Sequence, residues 1–304
     1  MTAQEFLELV RTVSNWGRWN DGGRRGALNH LTRARIAAAL ALARTGETVS
    51  LGLPLRTERG IDVPEPADHH MTMLPDVDIG SGSVRFAKDF VGADYHNEGH
   101  SHIDAFSHVA FDGRLFDGES DRSVTAKGAR AGDIEVLRNG LVGRAVLLDV
   151  PRARGVPWLE PGEHVFREDL EAAERDQGVT VGPGDILLVR TGHAKRLAEL
   201  DPWDCRDAKA GLHPTTALFL AERQISVLGS DGNNDTAPST TEGVAFPIHV
   251  LAINAMGVHL LDYLQFEDVV PRCEAEGRWD FLFVAAPLRI VGGTGSPLNP
   301  LAIF

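Results

Sequence analysis

Six ionisable side chains occupy alternate positions in one short segment of the chain, residues 96–108. They are His96, Glu98, His100, His102, Asp104 and His108. From residue 101 onwards, the odd positions between them hold small or apolar residues. Because successive side chains of a β-strand point to opposite faces, an extended segment would project all six from one side and pack its other side against a core. The pattern therefore predicts a strand with one ionisable face.

Imidazoles and carboxylates crowded onto one face indicate a bound metal ion. Their desolvation and mutual repulsion are costly unless a counter-charge is present. Imidazole nitrogen together with carboxylate oxygen suits Zn²⁺, Mn²⁺ or Fe²⁺. The competing interpretation, a solvated edge strand that is rich in histidine, is disfavoured by segregation over six positions. Asp231, His249 and Asp262 are candidates to complete the site. A turn-forming role would explain Asp231 equally, a histidine placed like His249 is more often a core or capping residue, and Asp262 alone could be ordinary.

The rest of the chain predicts an α/β fold. Buried-strand signals occupy residues 143–150, 184–191, 225–231 and 281–286, and helical stretches at 167–175, 214–223 and 248–255 lie between them. Strands that alternate with helices favour at least some parallel pairing. Neither a linker-like stretch nor a repeat interrupts the sequence, so we expect one domain over residues 1–304. Residues 59–82 lack periodicity and are predicted to form a long surface loop, the kind of segment that often makes a binding lid.

Charge and composition exclude several classes of partner. The chain has 304 residues, with 30 Lys and Arg against 43 Asp and Glu, a formal net charge of -13. Nucleic-acid-binding domains usually carry a basic balance, and an acidic surface disfavours anionic membranes. The sequence shows neither a run of about 20 apolar residues nor a leader with a basic and then an apolar segment. Cys205 and Cys273 are not in a C-x-x-C pair, so we expect reduced thiols, a cytoplasmic protein and a small-molecule substrate.

The histidine-rich segment resembles a known signature. Residues 100–108 are similar to the H-x-G-T-H-x-D-x-P-x-H motif of the metal-dependent cyclase family, which includes bacterial kynurenine formamidases and isatin hydrolases. Further stretches resemble motifs of the longer branch of that family, in order along nearly the whole chain: residues 15–19, 26–32, 111–118, 184–192 and 249–264. The resemblance implies a swivelling β/β/α fold, with a central mixed β-sheet core and outer helices.

The resemblance also implies roles for individual residues. His102 and Asp104 would bind the metal, His108 would be the acid/base, and His249 and Asp262 would lie at the metal site and hold a second ion if there is one. The departures from the family pattern are Glu98 for the leading His, His100 for Gly, Ser101 for Thr, Phe106 for Pro, Asp262 for Glu and Tyr263 for Asn. The third ligand is therefore open among His96, Glu98 and His100, and we favour His100 or His96.

The function implied is a metal-dependent hydrolase of a small cyclic or aryl amide, lactam or lactone, with one or two Mn or Zn ions per chain. Alternatives are a metal-dependent cyclase, dehydratase or isomerase, and a non-catalytic binding protein on the same fold. Trp16, Trp19 and the 59–82 loop are candidates to close a pocket over a ring-shaped substrate; packing in a core or between subunits would explain the tryptophans equally. The family further implies a homodimer or homotetramer, with residues 1–50 as a helical arm at the interface.

Overall fold

The structure is a computed structural model that describes residues 1–20, 24–80 and 82–304. Its strands are β1 (Thr48–Ser50), β2 (Asp68–Met73), β3 (Lys88–Gly92), β4 (His102–Asp104), β5 (Val124–Thr125), β6 (Gly128–Ala129), β7 (Leu141–Asp149), β8 (His164–Val165), β9 (Ile186–Arg190), β10 (Gly211–Leu212), β11 (Val227–Ser230), β12 (His259–Asp262), β13 (Asp280–Ala285), β14 (Gly295–Pro297) and β15 (Leu301–Ile303). Its helices are α1 (Ala3–Val13), α2 (Arg33–Ala39), α3 (Val150–Arg154), α4 (Arg167–Gln177), α5 (His193–Glu199), α6 (Thr216–Arg223), α7 (Pro247–His249), which continues as a π-helix over Val250–Met256, and α8 (Val269–Glu276). Short 3₁₀ helices cover Gly26–His30, Leu40–Leu42, Phe106–His108, Phe116–Gly118, Asp121–Ser123 and Ile134–Leu137.

A nine-stranded mixed sheet organises the chain, in the order β1-β15-β13-β7-β9-β11-β12-β4-β14. Strands β7, β9, β11 and β12 are parallel neighbours. The pairs on either side of this group, β13 with β7 and β12 with β4, are antiparallel. Central parallel strands are covered on both faces, which is why their sequences are nearly continuous apolar runs. The predicted α/β architecture with parallel pairing is confirmed.

Alternate residues of these strands pack into two separate hydrophobic cores. Val146, Leu187 and Leu228 face one core, which also contains buried side chains of α1, α4, α6 and the π-helix. Leu147 and Leu188 face the other core, which contains residues of α8 and β13. Burial at about 25 cal/mol per Å² of apolar surface makes the two cores the main stabilising contribution to the fold. The sheet therefore forms a rigid base from which loops and strand ends can position polar side chains.

The N-terminal helices form where capping residues predict them. At α1, the Thr2 side chain accepts a hydrogen bond from the Glu5 backbone, and the Glu5 carboxylate accepts one from the Thr2 backbone, a complete capping box. Thr32 caps α2 in the same way through the Arg35 backbone N–H. Phe6 of α1 is almost fully buried in a core of its own chain. Within residues 1–20, α1 therefore packs on the π-helix and on α6 of its own chain.

Two predictions of local structure are wrong. The ionisable segment is a strand only over His102–Asp104; residues 97–100 form turns and bends, and Phe106–His108 is a 3₁₀ helix. The Asn97 side chain accepts a hydrogen bond from the Gly99 backbone N–H, which closes a local turn in place of a strand ladder. The stretch predicted as a surface loop contains β2, which pairs with β3 in an exposed two-stranded hairpin. No helix in the described ranges combines the length and the apolar character needed to cross a bilayer.

Candidate metal centre

A fully buried carboxylate lies at the middle of the candidate site. Asp104 is the last residue of β4, its exposed fraction is 0%, and neither carboxylate oxygen has a hydrogen-bond partner among the described residues. Leaving a buried charged group without hydrogen bonds costs several kcal/mol unless it is paired or coordinates a metal. The Asp104 carboxylate is therefore the group in this fold that most requires a cation.

Histidine rings surround this carboxylate. Nδ1 of His96 lies 2.9 Å from Oδ1 of Asp104, outside hydrogen-bond alignment, and Nε2 of His102 lies 3.6 Å from the same oxygen. Nε2 of His249 lies 3.6 Å from Oδ2, and the His108 ring stacks on the His96 ring with 3.9 Å between centroids. Two sets of three residues could each hold a metal ion, because the donor atoms of each set all lie within 4.8 Å of one another. One set is His96, His102 and Asp104, the other is Asp104, His108 and His249, and we call them the two metal-type groups. Asp104 belongs to both groups, and nitrogen and oxygen donors of this kind suit Zn²⁺ or Mn²⁺.

Asp262 brings a second carboxylate to the same place. Residue 262 pairs in register with residue 102 across the antiparallel β12–β4 ladder. Its Oδ2 atom lies 3.8 Å from Nε2 of His102 and 3.5 Å from Nε2 of His249. Its Oδ1 atom accepts a hydrogen bond from Nδ2 of Asn234 at 2.6 Å. The sheet register thus joins parts of the chain that are about 160 residues apart in sequence.

Hydrogen bonds outside the cluster fix the orientation of two rings. Nδ1 of His102 is 2.8 Å from the His100 carbonyl oxygen, and since a carbonyl can only accept, this nitrogen carries the proton and Nε2 is left as an acceptor. Nδ1 of His249 is 2.6 Å from Oδ2 of Asp235, which directs its Nε2 towards Asp104. Metal-binding histidines are commonly held by a carboxylate or carbonyl in this way. Both rings therefore present a nitrogen to the middle of the cluster.

Burial and charge set the protonation of the cluster. Burial alone would raise the pKa of Asp104, but the surrounding histidines, His108 foremost, hold that pKa well below its usual range. Burial lowers the pKa of His108 to about 4, so its ring is neutral near pH 7 and can accept a proton. Burial also opposes the charged form of His249, but its bonds to Asp235 and Asp262 outweigh this and raise its pKa. In the metal-free protein, a protonated His249 supplies part of the missing positive charge.

The cluster opens into a pocket of about 530 Å³. Its lining includes the polar side chains of His96, Glu98, His102 and Asp262. It also includes apolar side chains, which are those of Val109, Phe111, Val244, Phe246 and Val250. Pockets with mainly apolar walls and a few convergent polar groups are typical small-molecule sites. A ring-sized ligand can therefore reach the candidate ligands.

Most of the residues singled out in the sequence come together here. The structure brings together the side chains of His96, His102, Asp104, His108, His249 and Asp262. Among the candidates for a third ligand, His96 is the one that lies with His102 and Asp104. His100 is buried, and within the described ranges its ring nitrogens join neither metal-type group. Glu98 lines the pocket but bonds to Lys209.

Three other candidates lie elsewhere. Asp231 accepts hydrogen bonds from the backbone of Thr191, Gly192 and His193, so it shapes a turn. Trp16 donates from Nε1 to the Asn254 carbonyl at 2.6 Å, and Trp19 packs edge-on against the His30 ring. Neither tryptophan lines the pocket, and among the described residues of 59–82 none does. The geometry of one chain thus does not bring these side chains to a bound substrate.

Sequence reasoning missed two supporting residues. Asp235 orients His249, and it stands in the same Asp- and Asn-rich stretch as Asp231, which drew attention instead. His259 donates from Nδ1 to the Asp104 carbonyl at 2.7 Å and stacks on Phe106 with 4.2 Å between centroids. The signal for His259 was its position directly before Leu260 and Leu261, where a polar residue beside apolar neighbours needs a partner.

The backbone of Asp235 sits directly against Gly211, which yields a test of the support for His249. A Cβ at residue 211 would lie 2.3 Å from the carbonyl carbon of Asp235 and 2.4 Å from its oxygen. Because backbone atoms cannot rotate away, we expect Gly211→Ala to lower the free energy of unfolding by ~2–3 kcal/mol. Urea unfolding measures this. Gly232→Ala is the matched control, since its Cβ would meet nothing closer than 3.7 Å; equal loss in both variants would contradict the expectation.

Comparison with known proteins identifies the family to which this chain belongs. A family model described as "Putative cyclase" matches residues 56–234. The solved structure of a novel cyclase is 30% identical, with 97% of this chain and 99% of that chain covered and a TM-score of 0.88. The chain belongs to the cyclase family, and the predicted family fold is confirmed.

More distant solved structures share the fold. Isatin hydrolase A from Labrenzia aggregata, bound to benzyl benzoate, is 21% identical, with 88% of this chain and 97% of that chain covered and a TM-score of 0.62. Isatin hydrolase A from Ralstonia solanacearum is 23% identical, with 88% and 95% covered and a TM-score of 0.59. No curated protein matches the sequence. The likeness to the isatin hydrolases is one of architecture.

Proposed function

We propose that the protein is a metal-dependent hydrolase that opens a small cyclic or aryl amide, lactam or lactone. The observation that carries this proposal is the Asp104 carboxylate, which is fully buried, has no hydrogen-bond partner among the described residues and is ringed by imidazoles that line a ligand-sized pocket. The isatin hydrolases that share the fold support a hydrolytic reaction on a ring carbonyl.

The residues present fit a divalent ion. Asp104, His96 and His102 would hold it, and Asp104, His108 and His249 offer a second arrangement beside Asp262. A bound divalent ion supplies Lewis-acid polarisation of a carbonyl and lowers the pKa of water. Two carboxylates, Asp104 and Asp262, balance the charge of one such ion. Imidazole and carboxylate donors in this proportion favour Mn or Zn.

His108 is the proposed acid/base of the reaction. Its ring is neutral at pH 7, lines the pocket, and is held parallel to the His96 ring with an interplanar angle of 5°. It can take a proton from the attacking water and return it to the leaving nitrogen or oxygen. His249 is fixed by Asp235 and cannot turn to perform this task.

A second candidate is a cyclase, dehydratase or isomerase, which the family description favours. A polarised carbonyl and a histidine base serve these reactions as well as hydrolysis. A purely binding role is disfavoured because His108 and Asp104 are both present. A homodimer or homotetramer and a cytoplasmic location stay predictions.

Replacing His108 tests the hydrolase proposal. Protein loaded with Mn²⁺ or Zn²⁺ is assayed against isatin, formanilide and the lactone 2-coumaranone, with the metal-free protein alongside. We expect His108→Asn to lower kcat about 10²- to 10⁴-fold, the usual contribution of a general acid/base, while metal content is unchanged. His70→Asn, on the exposed β2–β3 hairpin, is the matched control and should leave kcat unchanged. If none of the three compounds is turned over in a metal-dependent way, the proposal is refuted.

A further inference from the structure

We propose that Glu98 recognises the substrate by accepting a hydrogen bond from an amide or lactam N–H, and that Lys209 is the positioning residue that aims it. This inference rests on the proposed function, which it narrows to substrates that carry N–H beside the reacting carbonyl. It follows from a buried hydrogen-bond network that joins Lys209 to the pocket-lining residues Glu98, Asn233 and Tyr263. None of these residues belongs to the two metal-type groups.

The network is centred on a buried lysine. Only 2% of Lys209 is exposed. Its Nζ atom lies 3.4 Å from Oε1 of Glu98 and 3.2 Å from the Tyr263 hydroxyl oxygen. With the Asn233 amide turned so that both its ends are satisfied, the Asn233 oxygen accepts a third bond from Nζ at 3.0 Å. An ammonium has three donors and no acceptor, so Lys209 is fully used and serves as a fixed counter-charge.

Lys209 occupies one oxygen of Glu98 and leaves the other towards the pocket. Oε2 of Glu98 has no hydrogen-bond partner among the described residues, and it is not one of the buried unpaired atoms. The Glu98 side chain is 14% exposed and lines the pocket together with His102 and His108. The main chain around it is fixed, because the Asn97 side chain bonds to the Gly99 N–H at 2.8 Å and to the Glu65 carbonyl at 3.2 Å. One oxygen of this pocket-lining carboxylate is therefore free, among the described residues, to accept a hydrogen bond from a ligand.

A metal ligand is the competing role for Glu98. Its carboxylate belongs to neither of the two metal-type groups found in the described residues. Its charge is already balanced by Lys209, whereas that of Asp104 is not balanced by any basic side chain other than histidine. The geometry thus indicates that the Asp104 carboxylate requires an ion and that the Glu98 carboxylate does not.

The chemistry of Oε2 of Glu98 determines which substrates can bind well. A carboxylate only accepts hydrogen bonds, so its partner must be a donor. An amide or lactam with N–H supplies one next to the carbonyl, while a lactone or N-alkyl amide would leave the carboxylate desolvated and unpaired. Sites built to bond a substrate group discriminate strongly against analogues that lack it. The pocket should therefore prefer N–H amides and lactams to their N-methyl and lactone counterparts.

Glu98→Gln provides a sharp test because Lys209 dictates how the new amide is oriented. The Gln oxygen must face the Lys209 ammonium, which places the NH₂ group where Oε2 faced the pocket. We expect kcat/KM for isatin and formanilide to fall roughly 10- to 100-fold, the range for a hydrogen bond to a charged group. N-methylisatin and N-methylformanilide should change less than about 3-fold, so the preference for N–H is lost. Metal content should stay at the wild-type value, and Glu168→Gln on the exposed face of α4 is the matched control.

If Glu98 had only a structural role, Glu98→Gln would slow turnover of the N–H substrate and of its N-methyl counterpart equally, and that result would overturn the inference. Loss of metal from Glu98→Gln would overturn it as well. Lys209→Met/Glu98→Met removes both charges and the acceptor together, so loss of the N–H preference is also expected in this double variant. Failure of the proposed function is distinguishable, because it would show as absent turnover of every probe. In that case calorimetric binding of isatin and N-methylisatin to the metal-loaded protein decides: tighter binding of isatin supports the inference, and equal or absent binding overturns it.

Discussion

Asp104→Asn should remove the divalent metal from the protein and reduce hydrolysis about 10³-fold or more, a loss of roughly 4 kcal/mol of transition-state stabilisation. The substitution keeps the shape of the side chain and removes its charge. Asp104 is the residue shared by both metal-type groups, so no rearrangement of the remaining histidines replaces it. Elemental analysis of protein loaded with Mn²⁺ or Zn²⁺ measures the effect directly.

His102→Ala is the parallel variant and should also lose the ion. Asp89→Asn is the matched control, since Asp89 pairs with His69 on the exposed hairpin. Two equivalents of metal in the wild type would assign the second ion to His249 and Asp262, whose Nε2 and Oδ2 atoms lie 3.5 Å apart. Full metal content in Asp104→Asn would show that the buried carboxylate is not a ligand.

Arg190→Met should lower the free energy of unfolding by ~3–5 kcal/mol, the cost of breaking a buried ion pair from one side. Arg190 is 5% exposed at the end of β9 and bonds to Asp149 at 3.0 Å and to both oxygens of Glu267 at 3.0 Å. Burial already raises the pKa of Asp149 despite this partner. Without the guanidinium, the Asp149 carboxylate at the end of β7 would be buried and uncompensated.

Urea unfolding at pH 7 measures the effect of Arg190→Met. Arg206→Met is the control, because Arg206 pairs with Asp204 at the surface, where ion pairs contribute ~0–1 kcal/mol. Adding Asp149→Asn to Arg190→Met should recover part of the lost stability, since it removes the uncompensated charge. Equal stability of the Arg190 and Arg206 variants would contradict the prediction.

The central strands could be predicted because each is a buried apolar run. The runs predicted at 143–150 and 184–191 correspond to β7 and β9, displaced by at most two residues at each end. The short strand β14 has no apolar run, and the three apolar residues of β15 are too few to predict a strand. Their pairing depends on neighbours supplied by β4 and β13, which are far away in sequence. Local composition contains no information about such partners.

The candidate site was predicted for a partly incorrect reason. Alternation explains why His102 and Asp104 share a face of β4, but His96 and His108 reach the same place from a turn and a 3₁₀ helix. The orienting role of Asp235 could not be read from the sequence. Asn234 adopts a positive φ of 63°, and this single left-handed residue turns the chain so that residue 235 faces His249. The residue types at such backbone reversals give little indication of them.

The antiparallel register of β12 and β4 also determines when in folding an ion can be held. Asp262 and His102 become neighbours only when β12 and β4 pair, so the unfolded chain has no ready-made binding site. An ion that binds the native state alone stabilises it by RT ln(1 + [L]/Kd), about 2.7 kcal/mol at a free concentration 100 times Kd. Metal supply would therefore control how long the finished protein survives heat and proteolysis, while the rate of refolding would hardly depend on it.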